Sequence, residues 1–410
     1  MADGKPVIDF DHHSAEFGED PIGTYRKLQR ECPVAWSDAY GGFWVTSKYA
    51  DVAQVAKDDA TFTSTRTPHG GEGTPFIIPK HPGEPQYPIE LDPPESLEYR
   101  RVLNPMLSRH AVAAMAPMIE GHVTRVIDAF IERGECDLIH DLTGPVPAAV
   151  TLDWLGFPPE DWYRFSEPLH DLFASVPDSE RAERGAEGLG YLYARCLELI
   201  AQRRAEPADD ATSVLVNTPV AGELLDDDRL MSVIFLLIVG GVDTTTSLTG
   251  QSLVWLAQNP EQRARLAADR SLIPTATEEF LRVFAPSQSM ARTVTTDTEV
   301  GGCPMKAGDR VLIPWIAANV DDDVFPNATE VVLDRTPNRH ASFGLGVHRC
   351  VGAPLARAMF GEMLVQVLDR MPDYRVDPDG LAPYPSKGSQ TGWDTAPATF
   401  TPGPRRGAIA

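Results

Sequence analysis

The sequence of 410 residues lacks a Ser/Gly-rich linker, a low-complexity tract and an internal repeat. The length would suffice for two or three average domains, but without a linker the simplest expectation is one domain over residues 1–410. Hydrophobic residues make up 42% and aromatic residues 8% of the chain, which is ordinary for a globular protein with a sizeable core. These absences argue against modular and repeat proteins.

Features that direct a chain to membranes or nucleic acids are also missing. No apolar run follows the N-terminal residues 1–5, and the longest apolar run, Val233–Val242, is shorter than the roughly 20 residues that span a bilayer. Basic residues are few, since 36 Lys and Arg oppose 59 Asp and Glu, giving a formal net charge of −23. This charge argues against nucleic acid and anionic membranes as partners. We expect a soluble, cytoplasmic protein.

Cysteine is scarce and scattered. The five cysteines suit free thiols in a reducing compartment rather than a disulfide framework; they are Cys32, Cys136, Cys196, Cys303 and Cys350. No second cysteine lies within ligand spacing of Cys350, so a zinc site or a redox dithiol there is disfavoured.

The surroundings of Cys350 nevertheless suit a metal ligand. Gly344 and Gly346 precede it and permit a tight backbone, while Pro354 suits the first turn of a following helix. A thiolate just ahead of a helix N-terminus is stabilised by free amides and the helix dipole. One thiolate suffices as the axial ligand of haem iron. The alternatives are a buried small side chain and a phosphate loop, but Arg349 occupies the third glycine position of G-x-G-x-x-G.

A second unusual stretch lies within a helical pattern that runs from Arg229 to Gln258. Two central glycines, 240 and 241, each cost about 1 kcal/mol relative to alanine in a helix, so we expect them to loosen the helix for a small ligand. The residues Leu236, Val239, Gly240, Asp243 and Thr244 follow helical spacing and share one face. The acid and the hydroxyl on that face are predicted to pass protons.

Residues 343–352 match the pattern Phe-x-x-Gly-x-[His/Arg]-x-Cys-x-Gly, and from about residue 20 to the C-terminus the chain resembles a bacterial cytochrome P450. The resemblance implies a mainly α fold with small β-sheets and a haem b whose axial ligand is Cys350, within a loop that also contains Phe343 and Gly352. It implies that Asp243 and Thr244 are the oxygen-activation pair. The haem propionates would be held by Arg100, Arg292 and His348, while Ser96 stands where many members have another propionate-binding histidine.

The segment with Glu279 and Arg282 has the spacing of one helical turn. Alone, such a pair is a common accident and stabilises an exposed helix by only a few tenths of a kcal/mol. The resemblance implies a structural triad with a later arginine, best matched by Arg335, that holds the segment leading to the haem loop.

Substrate contacts are expected first in residues 67–94, which carry eight prolines and four glycines. Apolar residues in such an irregular loop favour a binding lid over a linker; Phe76 and Ile77 resemble the lid of terpene-hydroxylating members such as camphor hydroxylase. Further substrate contacts are predicted at Leu236, Val239, Gly240, Gln288 and Trp393, below a roof from residues 165–190. A terpenoid is favoured, while a polyketide or macrolide and a small aromatic remain open.

The implied reaction inserts one oxygen atom of O2 into a C–H bond of a small apolar substrate. The sequence has no flavin or nicotinamide domain, so we expect a separate ferredoxin and a ferredoxin reductase that uses NAD(P)H. A local basic patch would receive the ferredoxin, with Arg101, Arg109, Arg349 and Arg357 as candidates. The alternatives are a haem-thiolate isomerase, dehydratase or peroxide-driven enzyme, and a catalytically silent partner, which would be expected to lack the cysteine.

The N-terminal part is predicted to begin with an extended arm over residues 1–19. A capped helix over residues 20–31, a hairpin over 34–46 and a helix over 49–57 should follow.

Overall fold

The computed structural model describes residues 5–66, 71 and 73–407. Its α-helices are α1 Ala15–Glu19, α2 Pro21–Glu31, α3 Tyr49–Lys57, α4 Glu95–Met106, α5 Arg109–Ala114, α6 Ala116–Asp128, α7 Pro145–Leu155, α8 Trp162–Ala174, α9 Glu180–Ala205, α10 Ala211–Asn217, α11 Asp227–Gln258, α12 Pro260–Ala268, α13 Ile273–Phe284, α14 Trp315–Asn319 and α15 Ala353–Arg370. A π-helical segment, Leu138–Thr143, precedes α7.

The strands are short. They are β1 Val7–Ile8, β2 Val34–Ser37, β3 Phe43–Thr46, β4 Phe62–Thr63, β5 Glu135–Asp137, β6 Ser289–Val294, β7 Thr298–Val300, β8 Cys303–Met305, β9 Arg310–Pro314, β10 Arg375–Val376, β11 Ala382–Pro383, β12 Trp393–Thr395 and β13 Pro397–Thr399. The largest sheet has the order β1-β2-β3-β9-β6-β4, and a second sheet has the order β10-β13-β5. Pairs β7-β8 and β11-β12 complete the set in the described part of the chain.

The N-terminal elements follow from local signals. Asp20 accepts a hydrogen bond from the Gly23 amide at the start of α2, as an N-cap residue does. The predicted hairpin is β2 paired antiparallel with β3, with Trp36 opposite Trp44. Residues 5–19, however, are more than the extended arm that the sequence predicted, because β1 and α1 lie there and Phe17 of α1 is buried.

The core is organised around α11. Its buried residues belong to two hydrophobic clusters, one shared with α6, α7, α13 and α15 and the other with α4, α7, α9 and α10. By length and mean hydropathy (1.6) α11 could cross a membrane, yet 67% of its most apolar segment is buried inside the fold. Such burial is typical of the core helix of a globular protein.

The proline-rich loop contains no helix or strand at residues 71 and 73–94, while its residues 67–70 and 72 lie outside the described part. The loop is nonetheless anchored. Arg310 donates to the carbonyls of Pro75 (2.7 Å) and Ile77 (2.9 Å), and the Tyr87 amide donates to Ser232 of α11 (2.8 Å). Residues 75–87 are therefore fastened to β9 and α11.

Candidate active site

The loop before α15 has the backbone that its glycines predict. Gly344 (φ +71°) and Gly346 (φ +72°) both adopt left-handed conformations. A β-carbon at Gly346 would lie 2.7 Å from the carbonyl oxygen of Ala56, so only glycine fits there without a shift of the backbone. The Cys350 amide donates to the carbonyl of Phe343 (2.7 Å) and closes the loop.

Cys350 lies two residues before the first turn of α15, whose N-cap is Gly352. The thiol is surrounded by protein, and burial raises the pKa of Cys350; the backbone amides of Gly352 and Ala353 and the charge of Arg100 act in the opposite direction. Much of the Cys350 surface is nevertheless accessible. The amide donors are those that a thiolate needs.

The sequence predicted that Arg100, Arg292 and His348 hold the haem propionates. Two of them, Arg292 and His348, lie near the carboxylate of Asp92. Arg292 is 2% exposed, donates to the carbonyl of Ala291 (2.7 Å), and has no carboxylate within 4 Å among the described residues. Burial lowers its pKa to about 10, so the guanidinium stays charged at neutral pH. His348 Nε2 lies 3.7 Å from Asp92 Oδ1 and has no hydrogen-bond partner in the described structure.

Arg100, the third group, lies on α4 and donates to the carbonyl of Arg349 (2.6 Å). The side chain of Asp92, three residues before the first residue of α4, does not cap that helix. It instead accepts a hydrogen bond from the Ser64 amide (3.1 Å) and one from the Thr63 hydroxyl. Asp92 is therefore bonded to residues 63 and 64, with His348 close by, and does not cap the helix.

The face of α11 that carries the acid and the hydroxyl is regular. Helix α11 is continuous through the two glycines, so the expected loosening does not occur. Gly241 has a packing reason, because a β-carbon there would lie 2.6 Å from Thr151 Oγ1 of α7. The Thr244 hydroxyl donates to the Gly240 carbonyl (2.8 Å), which leaves its lone pairs free.

Asp243 is 2% exposed and its partner was not foreseen from the sequence. Oδ1 of Asp243 lies 3.0 Å from His170 Nδ1 of α8, and Oδ2 has no partner among the described residues. His170 Nε2 lies 3.0 Å from Asp394 Oδ1 of β12. The sequence predicted a roof over residues 165–190, which includes His170, but gave no role to that histidine.

The triad forms around Glu279, which is completely buried. Its carboxylate accepts hydrogen bonds from Arg282 (2.7 and 2.8 Å) and from Arg335 Nε (3.0 Å to each oxygen). The Val332 amide (2.8 Å) and the Asn338 amide (3.0 Å) also donate to it. The contacts join α13 to residues 332–338, which lead to the cysteine loop.

A cytochrome P450 family model matches residues 194–378. The steroid C26-monooxygenase of Mycolicibacterium smegmatis is 34% identical over 382 residues, 92% of each chain. The erythromycin C-12 hydroxylase of Saccharopolyspora erythraea is 36% identical over 374 residues, 88% of each chain. The chain belongs to the cytochrome P450 family. The solved structure of the Mycobacterium marinum P450 CYP268A2 in complex with pseudoionone superposes with a TM-score of 0.88 at 26% identity, covering 97% of this chain and 100% of that one.

The family assignment makes this P450 a haem-thiolate monooxygenase, an oxidoreductase, and confirms the predicted mainly α fold with small sheets. P450s bind iron protoporphyrin IX through a cysteine thiolate. The donor set fits that cofactor: Arg292, buried with no carboxylate within 4 Å in the described part of the chain, suits a propionate, and the accessible Cys350 lies beside the backbone amides of Gly352 and Ala353.

The predicted substrate residues divide into two groups. Leu236 and Val239 lie partly exposed on the α11 face of this P450, beside the exposed Gly240, and Ile77 is also partly exposed. Phe76 is 8% exposed, and its carbonyl accepts a hydrogen bond from the Ala291 amide (2.7 Å), which ties the lid to β6.

The structure contradicts the prediction for Gln288. Its side chain has no accessible surface, so it touches no space that even a water molecule can enter, and its Nε2 donates to the Tyr25 hydroxyl (3.0 Å). Trp393 packs against the hydrophobic cluster of α6, α7 and α15. Its neighbour Asp394 is the residue of β12 that reaches His170.

Two of the four arginines predicted for a basic patch form ion pairs. Arg357 is engaged in an ion pair with Glu278 (2.5 Å) and lies 4.4 Å above the Phe343 ring, and Arg101 is paired with Glu98 (2.5 Å). Arg109 and Arg349 are exposed and have no ion pair in the described part of the chain. Bacterial P450s generally use redox partners and O2.

Proposed function

We propose that this P450 inserts one oxygen atom of O2 into a C–H bond of a small apolar isoprenoid, in the first place a terpenoid. The observation that carries the proposal is the α11 face, which presents Leu236 and Val239 beside Thr244 and the buried Asp243. An apolar wall next to a proton-carrying pair suits an unactivated hydrocarbon substrate.

Haem with a thiolate ligand supplies, when bound, the activation of O2 and the attack on the C–H bond. The chain's own residues hold the haem and deliver protons. The amides of Gly352 and Ala353 would stabilise the Cys350 thiolate, and Arg100, Arg292 and His348 would hold the propionates. Phe343 and Gly352 shape the loop around the sulfur.

Asp243 and Thr244 have different roles in proton transfer. Because the Thr244 hydroxyl gives its hydrogen to the Gly240 carbonyl, it acts toward the site as an acceptor that holds a water molecule. Asp243 Oδ2, buried and without a partner in the described structure, is the oxygen that can carry a proton to that water.

Three further proposals complete this function. Residues 1–410 form one domain, electrons come from a ferredoxin and its NAD(P)H-dependent reductase, and the enzyme works in the cytoplasm. The first is supported by coverage of 92% of the M. smegmatis relative's own length. Arg109 and Arg349, free of ion pairs among the described residues, support the second.

A macrolide substrate is the second candidate, supported by the 36% identity to the erythromycin C-12 hydroxylase. The steroid C26-monooxygenase at 34% identity supports an isoprenoid instead. The triad Glu279, Arg282 and Arg335 is proposed to be structural in either case.

The test begins with the absorption spectrum of the reduced protein with and without carbon monoxide. A strongly red-shifted Soret band is expected for the wild type and its loss for Cys350→Ala; an unchanged band in the variant would refute Cys350 as the ligand. Titration with a terpenoid, a steroid and a macrolide should then shift the oxidised Soret band, and the tightest spectral response identifies the substrate class. A response to the macrolide alone would overturn the isoprenoid proposal.

A further inference from the structure

His170 is held between two carboxylates that come from different elements. Its Nδ1 lies 3.0 Å from Asp243 Oδ1 of α11, and its Nε2 lies 3.0 Å from Asp394 Oδ1 of β12. An ionised carboxylate only accepts hydrogen bonds. Both ring nitrogens must therefore carry hydrogen for both contacts to form, and the ring is an imidazolium.

The charges around His170 balance only when it is protonated. Arg181 of α9 donates to both oxygens of Asp394 (2.7 and 3.0 Å) and to Asp171 of α8 (2.7 Å). Arg184 lies 3.7 Å from the other oxygen of Asp171. The three carboxylates Asp171, Asp243 and Asp394 thus meet three cations: the two arginines and the imidazolium.

One neutral group also faces the ring. The Tyr384 hydroxyl lies 3.5 Å from His170 Nδ1, and the two rings meet edge to face with centroids 5.1 Å apart. Burial raises the pKa of Tyr384 well above its usual value, so this hydroxyl stays neutral. The side chain of His170 is 18% exposed, which leaves it a route for exchanging protons with solvent.

We propose that His170 is the positioning residue for the catalytic acid: as an imidazolium it fixes Asp243 Oδ1, leaves Oδ2 free for the proton relay, and fastens the acid to α8 and β12. This inference rests on the proposed monooxygenase function and adds the residue that sets the acid's geometry. Without His170, Asp243 is a buried carboxylate whose remaining neighbours among the described residues do not hydrogen-bond it. It would then be free to rotate away from the geometry that the proton relay needs.

The arrangement has a defined pH range. Burial lowers the pKa of His170, but Asp243 and Asp394 outweigh burial and raise it to about 9 from 6.5. The ion pairs are therefore fully present below pH 6.5 and are lost as the pH rises through about 9. Product formed per reductant consumed should fall over the same alkaline range.

The test compares His170→Gln with His170→Lys, which retains the charge, and with His122→Gln. His122 is the matched control, since its Nε2 also contacts a carboxylate (2.7 Å to Asp153) and its side chain is 3% exposed. Neither His122 nor Asp153 is a predicted site residue. All three variants should keep the thiolate-type carbon monoxide spectrum. His170→Gln should lose up to about 10²-fold in coupled turnover because the acid is misplaced, with an alkaline limb that no longer depends on a group titrating near 9, and His170→Lys should recover part of the lost turnover.

A readout independent of turnover is the NMR titration of the His170 ring. The expected midpoint is about 9 in the wild type, and Asp394→Asn should lower it. A wild-type midpoint at or below 6.5 would overturn the proposal, as would coupling in His170→Gln equal to that in His122→Gln. If the wild type lacked the thiolate spectrum, the proposed function would fail. The ring titration would still decide whether His170 is an imidazolium held between Asp243 and Asp394.

Discussion

Two buried carboxylates in this P450 are held in opposite ways. Glu279 has both oxygens saturated by donors from two arginines, a backbone amide and an asparagine. Asp243 has a single ring donor on one oxygen and none, in the described structure, on the other. A saturated carboxylate has nothing left to exchange, so it serves as scaffold; a half-satisfied one keeps an oxygen for protons.

The largest effect should come from breaking the saturated site. In Glu279→Gln the charge is lost while Arg282 and Arg335 remain, the first of them completely buried. Leaving a buried cation unpaired costs about 3–5 kcal/mol, so the variant should unfold at much lower denaturant concentration and retain little haem.

The control for that loss is Arg265→Ala, whose ion pair with Asp334 is roughly half exposed. Exposed pairs contribute about 0–1 kcal/mol. Equal losses in the two variants, measured by urea unfolding, would contradict the scaffold role of Glu279.

Replacing the half-satisfied acid should affect turnover and leave the fold nearly unchanged. In Asp243→Asn the amide cannot carry a proton, and general acid–base catalysis contributes about 10²–10⁴-fold. Coupled turnover should drop within that range while the carbon monoxide spectrum stays thiolate-type. Normal turnover at a normal spectrum would remove Asp243 from the relay.

Thr244→Ala should lower the amount of product formed per reductant consumed more than it lowers the rate of reductant consumption. The hydroxyl is proposed to position a water molecule beside Asp243. Without that water, proton delivery is misdirected, and reductant is consumed with release of hydrogen peroxide instead of product. Thr244→Ser, which keeps the hydroxyl, is the matched control. The measurement is the ratio of product and peroxide to reductant, and full coupling in the alanine variant would argue against the role.

The smallest effect is expected at Glu278, whose two carboxylate oxygens, like those of Glu279 and unlike those of Asp243, both have partners. Burial raises its pKa, but Arg357 and His340 lower it to about 2. A carboxyl with a depressed pKa stabilises the fold above its unfolded value, and that contribution disappears as the pH falls toward 2. Glu278→Gln should therefore melt slightly below the wild type at pH 7, and the two melting temperatures should converge in acid; a constant difference across pH would contradict this.

What the sequence predicted well depended on local spacing. The turn before Cys350, the shared face of Asp243 and Thr244 and the i, i+3 pair of Glu279 and Arg282 all lie within a few residues, where helix and turn geometry fixes which side chains meet. Arg335 was reached only through the family resemblance.

What the sequence missed depended on distant segments. His170 and Asp243 are 73 residues apart, and His170 and Asp394 are 224 apart, so no periodicity connects them. The error for Gln288 has the same origin, because its partner Tyr25 is 263 residues away and the direction of its side chain is set by tertiary packing.

The close approach of Gly241 to Thr151 has an evolutionary consequence. With 2.6 Å between a would-be β-carbon and the threonine oxygen, positions 151 and 241 form a pair in which side-chain volume is shared. Homologues that carry alanine at 241 should carry glycine, alanine or serine at 151. Correlated substitutions at positions 151 and 241 among homologues would show how far α7 and α11 can move apart.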